Sequence, residues 1–370
     1  MKKIVYLLGA GAMIDFGGPS TSELTKECEN ILCSMSHSYS KIISSLEKLY
    51  GPNNFNFETI IAAVEQLLNY SIATDRMGYN SIENTNLIRI LFSSNFPELN
   101  SSDLWECYRM LINSVIDRVD KYDCLRSFDL DDINHSNDVQ AMLRKYLLKM
   151  RTDNNLKIYS LNYDRLIPKL LYDKWLYDAT VSNGIESNFE YRFNAFLEHR
   201  LTYFNLHGSI YLKQQPNQLY SIVQSDSPNR ISYAIPQRGG SPNEQIIFSP
   251  IIAGYTKSQR VMSDVFNFGF STFFADINTC SELIVIGYSF SDPYINSVIR
   301  NASRYLETMT IVDYKNEEDF EKMITKAGID FYDKNNGKGY YKIKSKTIYG
   351  AAYYQGFRQF LDEQILEGNN

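Results

Sequence analysis

The sequence has little sulfur chemistry to offer. Its five cysteines, Cys28, Cys33, Cys107, Cys124 and Cys280, are scattered, odd in number and without a CxxC pair. That pattern argues against a disulfide framework and a structural zinc ribbon. Cys28 and Cys33 keep a CxxxxC spacing open to a metal, but thiols on or under a helix are the plainer reading. Unpaired thiols point to the cytoplasm. No run of about 18 apolar residues is present, so nothing is expected to span a membrane. The apolar run after Lys2-Lys3 is short and is soon followed by Asp15, which disfavours an export signal. Positive charge is not in surplus either. The formal net charge is −6 and the pI about 5.4, so a nucleic-acid partner has no support in bulk charge. There is no internal repeat and no low-complexity tract. What remains is a globular composition: 370 residues, 44% hydrophobic and 22% charged, enough for a large core and one or two domains.

The stretch from Lys2 to Pro19, KKIVYLLGAGAMIDFGGP, organises the rest. Ile4 to Leu8 form a short apolar run that reads as a buried strand. Gly9-Ala10-Gly11 follows at once, where glycines permit a sharp turn and close approach to a diphosphate. A strand, a glycine turn and a helix start make a nucleotide-binding entry. The dinucleotide fingerprint GxGxxG is only half met, because Ile14 stands at its third glycine. The acidic residue expected about 20 positions on would fall in the helical-looking ELTKECENIL. A hydride-transferring Rossmann enzyme is therefore disfavoured.

After Pro19, Ser20 and Glu23 have capping-box spacing, and the chain reads helical to about Met150. Ile60, Ile61, Val64, Leu67 and Leu68 share one helical face. Leu104, Tyr108, Leu111, Ile112, Val115, Ile116 and Val119 share another, and Val139, Leu143, Tyr146, Leu147 and Met150 a third. Residues 20–150 thus form a helical insertion, its stripes forming its own core with a part left for oligomer contacts. Residues 1–19 and 151–370 form the α/β domain. Strands are expected at 156–161, 201–206, 282–287 and 309–313, helices at 165–176, 266–277, 317–327 and 354–366, and hairpins and loops over 211–245.

Five inferred strands end in polar or glycine residues: Gly9/Gly11, Asn162/Asp164, His207, Gly287/Ser289 and Asp313. In an open parallel sheet, carboxyl ends line one ligand-binding crevice. The set resembles the SIR2 (sirtuin) superfamily, in its zinc-free bacterial SIR2-like branch. GAGAMIDFGGP (9–19) is similar to the sirtuin GAG(I)S…GIP segment, with Gly9, Ala10, Gly11, Gly17 and Pro19 in register. SLNYD (160–164) resembles TQNID, LHG (206–208) the HG motif with its catalytic histidine, and GYS (287–289) the GTS segment. IVDY (311–314) stands where the family holds the adenosine ribose. The chain departs from sirtuin deacylases where Pro19 is followed by Ser20-Thr21-Ser22 rather than PDFR. Met13 replaces a serine, and the four-cysteine zinc module is missing.

The resemblance implies a Rossmann-like parallel sheet that takes NAD+ as substrate, with no zinc. Asn162 would orient a water or the ribose, or else cap the next helix. His207 would be the general base, its pKa tunable near neutrality. Asp164 would hold the nicotinamide amide or ribose, or be an N-cap. Gly287 and Ser289 would meet phosphate or ribose, and Asp313 the adenosine ribose. Asp15 would line the pocket or act as a local cap. The implied activity is NAD+ glycohydrolysis to nicotinamide and ADP-ribose in anti-phage defence. A homo-oligomer and a HerA-type ATPase partner would go with it. NAD-dependent deacylation and a silent NAD-binding module are the alternatives. The insertion, joined to both Gly11 and Asn162, is expected to regulate access and to aid self-assembly.

Overall fold

The computed structural model describes residues 1–51, 55–75, 101–124, 138–171, 176–178, 198–214, 222–224, 227–231, 251–252, 264–302, 306, 308–313 and 356–366, with isolated residues in 319–328. Six strands form one wholly parallel sheet in the order β3-β4-β2-β1-β7-β8. They are β1 (Lys2–Leu8), β2 (Asn154–Ser160), β3 (Tyr177–Asp178), β4 (Leu201–Asn205), β7 (Glu282–Ile286) and β8 (Thr308–Val312). β5 (Leu212–Gln214) and β6 (Ile222–Gln224) make a separate antiparallel hairpin. The expected strands are all present, shifted by a residue or two. β3 was not foreseen, since a two-residue edge strand carries no alternation to read.

β1 sits between β2 and β7 and is buried on both sides, which explains its unbroken apolar run. Ile4, Tyr6 and Leu8 join one core cluster, while Val5 and Leu7 join the other. The order of the chain through the sheet reverses at β1, which places the topological switch point between β1 and β7.

Helices α1 (Thr21–Met35), α2 (His37–Tyr50), α3 (Phe57–Asp75) and α4 (Ser101–Cys124) follow β1. Ser20 caps α1 through the anticipated box. Its hydroxyl accepts from the Glu23 amide at 3.2 Å, and the Glu23 carboxylate accepts from the Ser20 amide at 2.8 Å. Most residues of the predicted stripes are buried, many completely. Their core is not private to the insertion, because one cluster runs from Leu24, Ile60 and Leu111 to Tyr6 and Ile158. α5 (Val139–Asp153) lies on the sheet rather than with α1–α4. The Tyr146 hydroxyl is 3.0 Å from that of Tyr6, and its ring meets Phe360 of α9 (Gly356–Leu366) edge-on. α6 (Leu166–Leu171) follows β2, and Pro168 lies in its first turn as expected. α7 (Asp264–Ile277) and α8 (Pro293–Ala302) cover the opposite face. Only isolated residues of the helix expected over 317–327 are described, and most of the 211–245 loops lie outside the described residues.

Candidate functional site

A cavity of about 810 Å³ opens over the carboxyl ends of the strands. Its floor is the turn after β1 (Gly9, Ala10, Gly11), the turns after β2 and β4 (Asn162, His207), and the loops after β7 and β8 (Gly287, Ser289, Asp313). Its roof comes from the insertion, including Ser20 and Thr21 at the start of α1, Glu58 and Thr59 of α3, and Tyr122 of α4.

The glycines on the floor are needed chiefly for each other. A Cβ on Gly9 would stand 2.5 Å from the Gly287 carbonyl oxygen, and one on Gly11 2.7 Å from the Gly287 Cα. Gly287 itself has φ +61°, and its Cβ would come within 2.0 Å of the Ala12 nitrogen. The Gly9 amide donates to Ile286 O and the Gly11 amide to Gly287 O, both at 2.9 Å. This turn thus closes β1 onto β7 while its glycines line the cavity. It leads into a 3-10 segment, Ala10–Phe16, rather than an α-helix.

Asn162, 8% exposed, donates from Nδ2 to the Gly9 carbonyl at 2.9 Å and so ties the ends of β1 and β2 together. Its own carbonyl accepts from Asn205 Nδ2 at 2.8 Å. His207, 4% exposed, follows β4 with its Nε2 3.4 Å from Asp292 Oδ2. The other oxygen, Asp292 Oδ1, accepts from the amides of Tyr294 and Ile295 at 2.9 and 3.2 Å, capping α8. One carboxylate therefore fixes a helix start and faces the histidine. The loop between Gly287 and Asp292 is held open by Phe290 at φ +53°, rare for a non-glycine. Asn296 braces it, donating to Phe290 O at 2.8 Å and accepting from the Tyr288 hydroxyl at 2.8 Å. Ser289 lines the cavity with its hydroxyl 2.9 Å from that of Ser291. Tyr163 also lines it, donating to Glu58 Oε1 at 3.4 Å. Burial first, then the charges of Glu58 and Asp292, push its phenol pKa well above the ordinary value.

Asn162, His207, Gly9, Ala10, Gly11, Pro19, Gly287, Ser289 and Asp313 all line this one cavity. Three expected cofactor contacts fall elsewhere. Asp164 accepts from the Leu166 amide at 2.9 Å and the Tyr122 hydroxyl at 2.7 Å, so it caps α6 and anchors the roof. Asp15 accepts from the Arg358 amide at 2.9 Å, at the start of α9. Gly17, at φ +85°, ends the 3-10 segment in the left-handed conformation. In each, a local cap or stop has the same sequence signature as a ligand contact. Asp292 and Glu58 were not foreseen. The Asp292-Pro293 pair signals a helix start, but no sequence signal places it beside His207.

Among the described residues, no group of three or more His, Cys, Asp and Glu is placed to hold a metal. None of the described helices is long and apolar enough to cross a membrane. Cys28, Cys107 and Cys280 are buried thiols, and Cys33 is exposed on α1.

Residues 156–332 match the family model described as a SIR2-like domain. The match begins after the glycine turn and spans Asn162, His207, Ser289 and Asp313. A solved structure described as the ADP-ribose complex of a Sir2 homologue, with a serine-to-alanine mutation, aligns over 99% of this chain and 93% of its own. Its TM-score is 0.41 and its identity 11%, too low for any residue role to be transferred. No curated protein matches. Over residues 156–332, with their parallel strands and strand-end motifs, the chain is similar to a SIR2-like domain.

Proposed function

We propose that the protein is an NAD+ glycohydrolase that releases nicotinamide and ADP-ribose. The observation that carries this reading is the convergence of Asn162 and the His207–Asp292 pair on one cavity at the switch point of the sheet. The cavity's volume suits a nucleotide-sized ligand. Hydroxyls of Ser20, Thr21, Ser22 and Ser289 line it, while none of its described lining residues is Lys or Arg. The residues present therefore fit a ligand held through hydroxyls and backbone rather than through cationic side chains.

His207 takes a proton from the attacking water, a role worth about 10²–10⁴ in rate. Asp292, 3.4 Å from Nε2, offsets the charge the imidazole gains. Asn162, its amide tethered to Gly9 O, orients the water or the ribose. The helical roof excludes bulk water and so sharpens each of these interactions. Because the roof lines the cavity, movement of the insertion would change access to it directly. The motif resemblance extends the reading to anti-phage defence by NAD+ depletion in the cytoplasm, as a homo-oligomer with a HerA-type ATPase or similar partner.

The test follows nicotinamide by chromatography when purified protein is mixed with NAD+, alone and with candidate activators. Wild type should release it, and His207→Ala should not. Equal release by both would remove the assigned role of His207. Turnover of acyl-peptide to O-acyl-ADP-ribose with little hydrolysis of NAD+ alone would make the protein a deacylase. Tight NAD+ binding with no turnover would make it a binding module.

A further inference from the structure

The roof does more than shut out water. Glu58 sits in the first turn of α3 and lines the cavity. Its place is set from three sides. Asn56 Oδ1 accepts from the Thr59 amide at 3.1 Å, capping the helix, and the Phe57 amide donates to Thr25 Oγ1 at 3.0 Å, pinning α3 to α1. Phe57, Ile60 and Ile61 are buried on either side of Glu58 in sequence. The carboxylate then receives the hydroxyl of Tyr163, the residue that follows Asn162. A carboxylate is thus placed above the β2 end of the floor, in a cavity whose described lining residues include no Lys or Arg.

Such an anion favours a reaction that develops positive charge. We propose that Glu58, supplied by the insertion, is a catalytic residue whose carboxylate faces the charge building on the ribose as the glycosidic bond breaks. The inference rests on the glycohydrolase reading. In that reaction the bond between ribose C1′ and the pyridinium nitrogen breaks, and its electron pair leaves with neutral nicotinamide. The water oxygen bonds to C1′ and its proton passes to His207, giving ADP-ribose. Positive charge moves from the ring to the ribose in the transition state, and a fixed carboxylate there lowers the barrier without reorganising.

Glu58→Gln keeps size and hydrogen bonding and removes the charge. Expected are a fall in kcat of about 10–100-fold, a KM within about threefold, and an unchanged calorimetric affinity for ADP-ribose, which lacks the departing cation. Glu58→Asp should recover part of kcat and guards against a mere folding defect. An unchanged kcat in Glu58→Gln, with His207→Ala inactive, overturns the proposal alone. A fall in ADP-ribose affinity parallel to kcat also overturns it, by making Glu58 a structural residue. A wild type that binds NAD+ and leaves it intact removes both the reading and this role.

Discussion

The two ends of β1 both have carboxylates beside them, one buried and one half-buried, and use them in opposite ways. Near the amino end, Asp276 of α7 is 2% exposed and accepts from Lys3 Nζ at 2.8 Å and from the Tyr159 hydroxyl at 2.7 Å. Lys3 also donates to Thr279 Oγ1. Neighbouring Lys157 donates to the His199 carbonyl at 3.1 Å. These groups close on one another. At the carboxyl end, Asp292 gives one oxygen to backbone amides and turns the other to His207, beside open volume. A buried carboxylate does not by itself mark a site. What marks one is that part of its bonding capacity faces space a ligand can enter.

The comparison can be broken by substitutions at each end. The largest effect is expected at the carboxyl end, where His207→Ala should cut nicotinamide release about 10²–10⁴-fold while the melting temperature barely moves. A matching collapse of the thermal transition would make His207 a structural residue like Asp276. Gly287→Ala comes next. With a Cβ 2.0 Å from the Ala12 nitrogen and φ at +61°, it should destabilise the fold by roughly 3 kcal/mol or more, read as a lower urea midpoint. An unaltered midpoint would show that the two turns can separate.

At the amino end, Asp276→Asn should cost about 2 kcal/mol in urea unfolding and leave turnover per folded molecule intact. Lost turnover without lost stability would mean that the two ends are coupled. The smallest effect concerns pH. Burial lowers the Lys157 pKa from 10.5 to about 8. Between those values the folded chain has shed a proton that the unfolded chain keeps, so stability rises with pH. Burial raises Cys28 and Cys280 from 9.0 to about 12, so above pH 9 the folded chain keeps protons that the unfolded chain loses, and stability falls. Across pH 8 to 9 the gain from Lys157, about 1 kcal/mol, is offset by the buried thiols Cys28, Cys107 and Cys280, so wild-type stability should stay nearly level while Lys157→Met loses about 1 kcal/mol. An equally level profile in Lys157→Met would place the titrating group elsewhere.

The sheet was legible because its strands are buried on both faces and read as apolar runs, as Ile4–Leu8 and Leu283–Ile286 do. The floor of the cavity was legible because polar residues stop those runs where a parallel sheet gathers its carboxyl ends. Asp15, Gly17 and Asp164 could not be settled from sequence because capping an element and contacting a ligand ask for the same residue types. Asp292 and Glu58 were hidden for another reason. The first meets His207 only because the strand order carries the β7 loop across the turn after β4. The second reaches Tyr163 only because the insertion folds back over the sheet. Neither contact has a local signature.

The central position of β1 also bears on how the chain is made. Its two neighbours begin at Asn154 and Glu282, so during synthesis it waits unpaired until β2 emerges and keeps one open edge until β7 does. A strand apolar on both faces with open edges invites pairing with other chains, and closing such distant contacts slows folding. Helices α1 to α4 emerge before either partner strand, and their core is continuous with Tyr6 and Leu8. The insertion that roofs the finished cavity is thus also the first part of the nascent chain able to shelter one face of β1 on the ribosome.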